Sequence, residues 1–162
     1  YLKIISSKTA ELFAAATKVG AILSEMKTKE KEALEFYGRN LGLTFQIADD
    51  NLDYNSELKL FGKNIGQDFY EGKITLPIIL LFQKANKDEK ETLKKTFAKE
   101  ERNQNDLNYT LCLIKKYDII NSCYQKAKHY INLSSNSLSV FKDSEEKNIL
   151  ENLTSFSLSR NF

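Results

Sequence analysis

Helix breakers are scarce in this sequence of 162 residues, which has one proline and six glycines. With long apolar patterns of 3.6-residue period, that scarcity points to an all-α protein. Cysteine is nearly absent too. Cys112 and Cys123 stand alone, without a CxxC pair or a Cys/His cluster, so a zinc site lacks ligands and both read as buried thiols of a reducing, cytoplasmic compartment. No long apolar run occurs. The longest, Leu76 to Phe82, falls far short of the roughly 20 residues a membrane span needs. No signal peptide opens the chain, which begins at Tyr1 and not Met, so an upstream segment is expected. Excess charge is missing as well: the formal net charge is +2, and Lys and Arg form no basic block. That speaks against nucleic acid as a partner. The single His129 lies in a polar stretch and reads as structural or exposed.

The length suits one domain over residues 1–162 with a real core. Hydrophobic residues make up 41% and charged residues 28%, ordinary for a globular chain. Ser6 or Ser7 is expected to cap a first helix running to about Glu25, with an apolar stripe of Leu12, Ala15, Ala16, Val19, Ile22 and Leu23. Ala14, Ala15, Ala16, Gly20 and Ala21 would permit close packing. Thr28 opens a longer helix with the stripe Ala33, Leu34, Tyr37, Leu41, Phe45, Ala48 and Leu52. Gly38 and Gly42 interrupt it at a cost of about 1 kcal/mol each relative to Ala, which suggests tight helix contact or room for a ligand. A glycine-bearing connector spans Leu58 to Gly72. Helix resumes at Thr75-Leu76-Pro77, where proline suits the first turn. Further helices are predicted near 87–100, 104–117, 118–141 and 143–157, with Lys90, Lys94, Lys95, Lys99, Glu100 and Glu101 forming a solvated face.

Three carboxylates crowd the end of the long helix, at Asp49, Asp50 and Asp53, with Gln46 one turn earlier on the same face. No residue four positions away neutralises them, and like charges at this spacing repel. Placed beside Phe45, Ile47, Ala48 and Leu52, they are expected to aim hard oxygen ligands at one volume. Magnesium takes one or two carboxylates and leaves its other positions to water and phosphate oxygens, so the set suits a metal-bridged phosphate better than a closed cage. An N-cap or a solvated acidic turn is the alternative reading of the same spacing.

Lysines follow in glycine-containing segments: Gly62-Lys63-Asn64-Ile65-Gly66-Gln67-Asp68, then Gly72-Lys73-Ile74-Thr75-Leu76-Pro77. Glycine beside lysine in a loop lets an ammonium and backbone N–H groups approach an anion. Upstream, Ser7-Lys8-Thr9 is expected at a helix N-terminus, where the dipole also favours anions.

These segments resemble the C-terminal half of the trans-isoprenyl diphosphate synthases of the longer-chain, octaprenyl or polyprenyl type. The resemblance runs the length of the chain and is carried by SKTAELFAAATKVGA (Ser7–Ala21), GLTFQIADDNLDY (Gly42–Tyr54) and GKNIGQDFYEGKITLPIIL (Gly62–Leu80). It implies the C-terminal portion of an isoprenoid-synthase helical bundle around a deep cavity, in a homodimer. It also implies head-to-tail condensation of isopentenyl diphosphate with an allylic diphosphate, in service of products such as quinone side chains. Asp49, Asp50 and Asp53 match the family's second aspartate-rich motif, which binds Mg2+. Lys8, Thr9 and Lys63 match residues that hold or polarise the diphosphate. Gln46 matches the neighbouring glutamine and Lys73 a further diphosphate-contacting lysine. Arg160 lies where the family carries a basic tail near the isopentenyl diphosphate site.

The family's first aspartate-rich motif is absent from these residues. The chain is therefore expected to be inactive alone and to leave the apolar stripes of its first helices partly uncovered. Three readings follow: part of a complete prenyltransferase; a non-catalytic or regulatory subunit that pairs with an N-terminal half or a second synthase chain; or a terpene cyclase-like protein. The lysine segments after Asp53 argue against the last, because they suit chain elongation.

Overall fold

The structure is a computed structural model and describes residues 1–55 and 65–159. The described residues form α1 (Leu2–Ile5), a π-helical turn (Ser6–Ala10), α2 (Glu11–Leu23), α3 (Thr28–Leu52), α4 (Gln67–Tyr70), α5 (Leu76–Lys84), α6 (Lys87–Phe97), α7 (Gln104–Lys116), α8 (Ile119–Ser137), a 3-10 turn (Leu138–Val140) and α9 (Glu145–Ser159). No strand occurs among them, and the all-α expectation holds. The chain divides into two compact units, one of residues 1–48 with 124–162 and one of residues 49–123; α3 and α8 contribute to both.

In the first unit, the start of the chain differs from the expectation. Ser6 and Ser7 cap nothing. Helix is already established at Leu2, and Ser6–Ala10 is a single π turn between α1 and α2. α2 ends in a Schellman arrangement: Met26 N–H donates to Ala21 O at 3.1 Å and Glu25 N–H to Ile22 O at 3.0 Å. Glu25 takes the left-handed φ of 53° that this stop requires. Glu30 then reaches back to accept the Lys27 N–H at 2.8 Å, which starts α3.

α2 meets α3 through small residues. Ala10, Ala14 and Ala21 are buried, and the absence of a Cβ at Gly42 lets Ala10 approach. The expected stripe faces the other way. Leu12, Ala15, Ala16, Val19, Ile22 and Leu23 are all exposed, because the face that packs within this chain is that of Phe13, Ala14, Thr17 and Ala21. Of the small residues, Ala15, Ala16 and Gly20 likewise take no part in that contact.

The core of this unit gathers Tyr37, Leu41, Ile131 and Leu138, with Phe13, Leu34, Phe141 and Leu150 packed against it. Polar groups inside it are matched. Tyr37 Oη donates to Leu150 O at 2.9 Å and Ser134 Oγ to Tyr37 O at 2.9 Å. Each removes a buried polar group from the cost column while tying α3 to α8 or α9.

The second unit owes its helix starts to capping boxes. Asn86 and Glu89 exchange side-chain and backbone hydrogen bonds at the head of α6, and Asn103 and Asp106 do so at the head of α7. Pro77 occupies the first turn of α5, as expected, and Leu76, Pro77, Ile78 and Leu81 are buried. Phe69 stands edge-on to Phe97 with centroids 5.4 Å apart. Cys123 is buried, and burial pushes its thiol up to about 12. Cys112 is exposed, contrary to expectation, because it lies on the outer side of α7 between the buried Thr110 and Leu113.

Candidate functional site

Two groups of predicted site residues come together, one in each unit. In the first, Thr9 leaves the π turn and donates its hydroxyl to Gln46 Oε1 on α3 at 2.7 Å. Lys8 beside it is exposed. Its setting is the interior of a continuous helical run and not a helix N-terminus, so the expected dipole contribution at Ser7-Lys8-Thr9 is withdrawn. The π turn takes its place as the local peculiarity. Such single-turn irregularities gather at functional sites, where they re-aim side chains.

The second group is built around Asp53. α3 ends just before it, and its carboxylate reaches across to the head of α4. Oδ1 accepts the Gln67 N–H and Oδ2 the Asp68 N–H, both at 2.9 Å, while Asp53 O accepts the Gly66 N–H at 2.9 Å. Gly66 makes this return possible: it holds a left-handed φ of 85°, and a Cβ there would stand 2.8 Å from the Leu107 side chain. Burial raises the Asp53 carboxyl above its ordinary value and the neighbouring Asp68 charge adds to this, while the two N–H donors pull it down. Burial likewise raises the Tyr54 phenol, with the Asp53 and Asp68 carboxylates adding to it.

α4 delivers Lys73. Its Nζ pairs with Asp68 Oδ1 at 3.1 Å and Glu71 Oε2 at 2.5 Å, and those hydrogen bonds, Glu71 first, raise its pKa. Its side chain stays half exposed. Arg102, which sequence reasoning assigned to no role, fixes the far end of α4. Nε donates to Phe69 O at 2.7 Å, a terminal nitrogen to Tyr70 O at 3.1 Å, and the other to Lys99 O at 2.8 Å. α4 is thus held by an acid at its N-terminal end and a base at its C-terminal end, the polarity its dipole prefers.

The three aspartates differ in setting. Asp49 is exposed, Asp50 is only 5% exposed, and Asp53 is half-buried and committed to main-chain donors. Among the described residues no three His, Cys, Asp or Glu side chains converge closely enough to cage a metal ion. Asp53 caps the head of α4, which is one of the two readings of the spacing. Carboxylates at separate distances from solvent still fit a hard divalent ion that completes its shell with phosphate oxygens and water. Among the described residues, the buried Asn51 amide lacks hydrogen-bond partners, so this end of α3 holds a polar group that its own packing does not satisfy. Lys63 and Arg160 lie outside the described residues. His129 is exposed, as expected.

An all-helical chain whose long helix ends in carboxylates beside a lysine-bearing turn has the architecture of the isoprenoid synthases. The polyprenyl synthetase family profile matches residues 1–114. The chain belongs to that family, whose characterised members here are trans-prenyl diphosphate synthases. It is 33% identical over 160 residues to the all-trans-nonaprenyl-diphosphate synthase (geranyl-diphosphate specific) of Rhodobacter capsulatus, covering 99% of this chain and 48% of the relative. A decaprenyl diphosphate synthase structure from Rhodobacter capsulatus superimposes with a TM-score of 0.92 at 33% identity, over 100% of this chain and 50% of that one. A polyprenyl synthase from Caulobacter crescentus, complexed with calcium and isoprenyl diphosphate, gives 0.91 at 38% identity, over 100% and 49%. The chain thus spans about half the length of the relatives it matches.

Proposed function

We propose that this chain supplies the Mg2+ and diphosphate-handling part of a trans-polyprenyl diphosphate synthase. The reaction joins isopentenyl diphosphate to an allylic diphosphate. The allylic C–O bond breaks and its electron pair leaves with the diphosphate. The alkene of isopentenyl diphosphate forms the new C–C bond, and a proton is lost to restore a double bond. The observation that carries the reading is the fastening of Asp53 to the turn that bears Asp68 and Lys73. Asp53 accepts from the Asp68 N–H, and the Asp68 carboxylate in turn pairs with the Lys73 ammonium.

Asp49, with Asp50 and Asp53, would hold magnesium, which when bound neutralises charge on the diphosphate. Lys73 uses two of its three N–H donors on Asp68 and Glu71 and keeps the third for an anion. By the resemblance, Lys8, Thr9 and Lys63 would hold or polarise diphosphate oxygens, and preorganised cations are a large part of such catalysis. Gln46 holds the Thr9 hydroxyl in one orientation. Arg160 would face isopentenyl diphosphate. The calcium and isoprenyl diphosphate in the Caulobacter crescentus structure support this assignment of ligand classes. A homo-oligomeric, cytoplasmic enzyme feeding quinone side chains is the physiological setting proposed.

The test is calorimetric titration of the 162-residue chain with inorganic pyrophosphate, with and without Mg2+. Magnesium-dependent binding is expected, at least tenfold weaker in Asp49→Ala. Because Asp49 is exposed, the thermal unfolding of that variant should match the parent. Equal affinity of parent and variant would remove Asp49 from the site.

A further inference from the structure

α4 is a helix of four residues, too short to hold its own shape, and Lys73 stands at its exit. The chain leaves α4 through a Schellman turn. The Gly72 N–H donates to Phe69 O at 3.0 Å and the Lys73 N–H to Asp68 O at 2.9 Å. Lys73 is therefore the first residue past Gly72, whose φ of 75° is left-handed. The last carbonyls of a helix lack intrahelical donors, and here Arg102 supplies them. Its Nε donates to Phe69 O and one terminal nitrogen to Tyr70 O, while the other is anchored on Lys99 O. Gly72 leaves room for this clamp. A Cβ there would stand 2.5 Å from Arg102 Nη2 and 3.0 Å from its Cζ, so the guanidinium lies against the glycine itself. Arg102 in turn adjoins Asn103, the cap that starts α7.

We propose that Arg102 is a positioning residue for Lys73, fixing the main chain from which that ammonium reaches a diphosphate. The inference rests on the diphosphate-binding role proposed above for Lys73. Asp68 and Glu71, which pair with the Lys73 ammonium, belong to α4 and its C-terminal cap. Ammonium, carboxylates and main chain therefore move with α4 as a unit. Asp53 holds that unit at its head, and Arg102 holds it at the end that carries Lys73. All three Arg102 nitrogens are committed to main-chain carbonyls, which makes this side chain a clamp and not an anion ligand. A lysine at this position keeps the charge but cannot span the same acceptors. The long-range field at the site is then unchanged, and any loss of affinity reports the placement of Lys73.

The experiment is a double-mutant cycle read by calorimetric titration of the 162-residue chain with inorganic pyrophosphate in Mg2+. The four chains are the parent, Arg102→Lys, Lys73→Ala and the double variant. Lys73→Ala is expected to weaken binding. Arg102→Lys is expected to weaken it roughly fivefold where Lys73 is present and to leave it unchanged where Lys73 is absent. Thermal unfolding, by contrast, should fall by the same amount in both backgrounds, because the clamp itself does not need the ammonium. Gly72→Ala, which drives a methyl group into the guanidinium, should repeat the pattern with Arg102 intact. An equal loss of affinity in both backgrounds, or no loss in Arg102→Lys, would overturn the inference. A parent chain that binds no pyrophosphate, or a Lys73→Ala chain that binds as the parent does, would instead strike down the role proposed for Lys73, and the inference with it.

Discussion

At Gly38 a Cβ would stand 2.3 Å from Thr17 Oγ1 and 2.4 Å from the Phe13 carbonyl oxygen, while at Gly20 it would meet nothing within 4 Å. The same substitution should therefore change sign between the two positions. Gly20→Ala gains helix propensity and is expected to stabilise by about 0.5–1 kcal/mol. Gly38→Ala forces backbone apart and is expected to destabilise by about 1–3 kcal/mol in spite of that gain. Urea unfolding of the two variants checks both directions. The Gly38/Gly42 pair could be read in advance, because two costly residues four apart in a long helix need a reason. Arg102 could not. It sits in a charged stretch that looks solvated, and its three carbonyl partners at Phe69, Tyr70 and Lys99 are mostly far away in sequence. Its planar fork spans those acceptors where a lysine ammonium cannot. Arg102→Lys is expected to lose about 1–2 kcal/mol and to speed amide exchange in residues 69–73 relative to the rest of the chain. Unchanged exchange there would show that α4 holds without it.

Among elements, the joint between α6 and α7 rests on one carboxylate. Glu89 accepts from Lys116 Nζ and Tyr117 Oη, both at 2.6 Å, and from the Asn86 N–H at 3.0 Å. The Lys116 hydrogen bond first, then that of Tyr117, lowers its pKa to about 2 from 4.5. A folded value below the unfolded one means that the ionised group favours the fold. That contribution is complete above about pH 4.5 and is lost as pH falls through 2. Glu89→Gln should flatten this part of the acid-stability curve while lowering stability at pH 7, as followed by thermal melts across the range. The cap explains why the starts of α6 and α7 were legible: Asn86 and Asn103 each precede an acid by three residues, a strictly local signal. α3 was legible for the same kind of reason, from Thr28 to Leu52. α4 and the π turn were not. α4 is fastened by Asp53 from the N-terminal side and by Arg102 from far downstream, and the π turn ends where Ala10 meets Gly42. Contacts of such sequence separation leave no periodicity to read.

For the molecule as a whole, the decisive quantity is how much of an enclosing shell these residues can build. The proposed chemistry creates an allylic cation that water would capture, so the site must be dry when the C–O bond breaks. The acid-rich spacing at Asp49-Asp50-Asp53 occurs once in the sequence, and the large apolar residues of α2 face outward. The candidate aspartates were legible as a motif, yet their unequal burial was not, since it depends on packing that the spacing does not encode. The uncovered stripe on α2 was legible as a consequence of the missing motif, although the intrachain packing of α2 was read on the wrong face. From one acidic cluster and an open apolar face, the isolated chain is expected to bind magnesium and pyrophosphate without transferring prenyl groups. Radiolabelled isopentenyl diphosphate, an allylic diphosphate and Mg2+ should yield no chain-lengthened product above a no-enzyme blank. Turnover at the rate of a full-length relative would mean that these helices enclose the cation unaided, and would require Leu12, Val19 and Leu23 to be covered in solution by the chain's own residues.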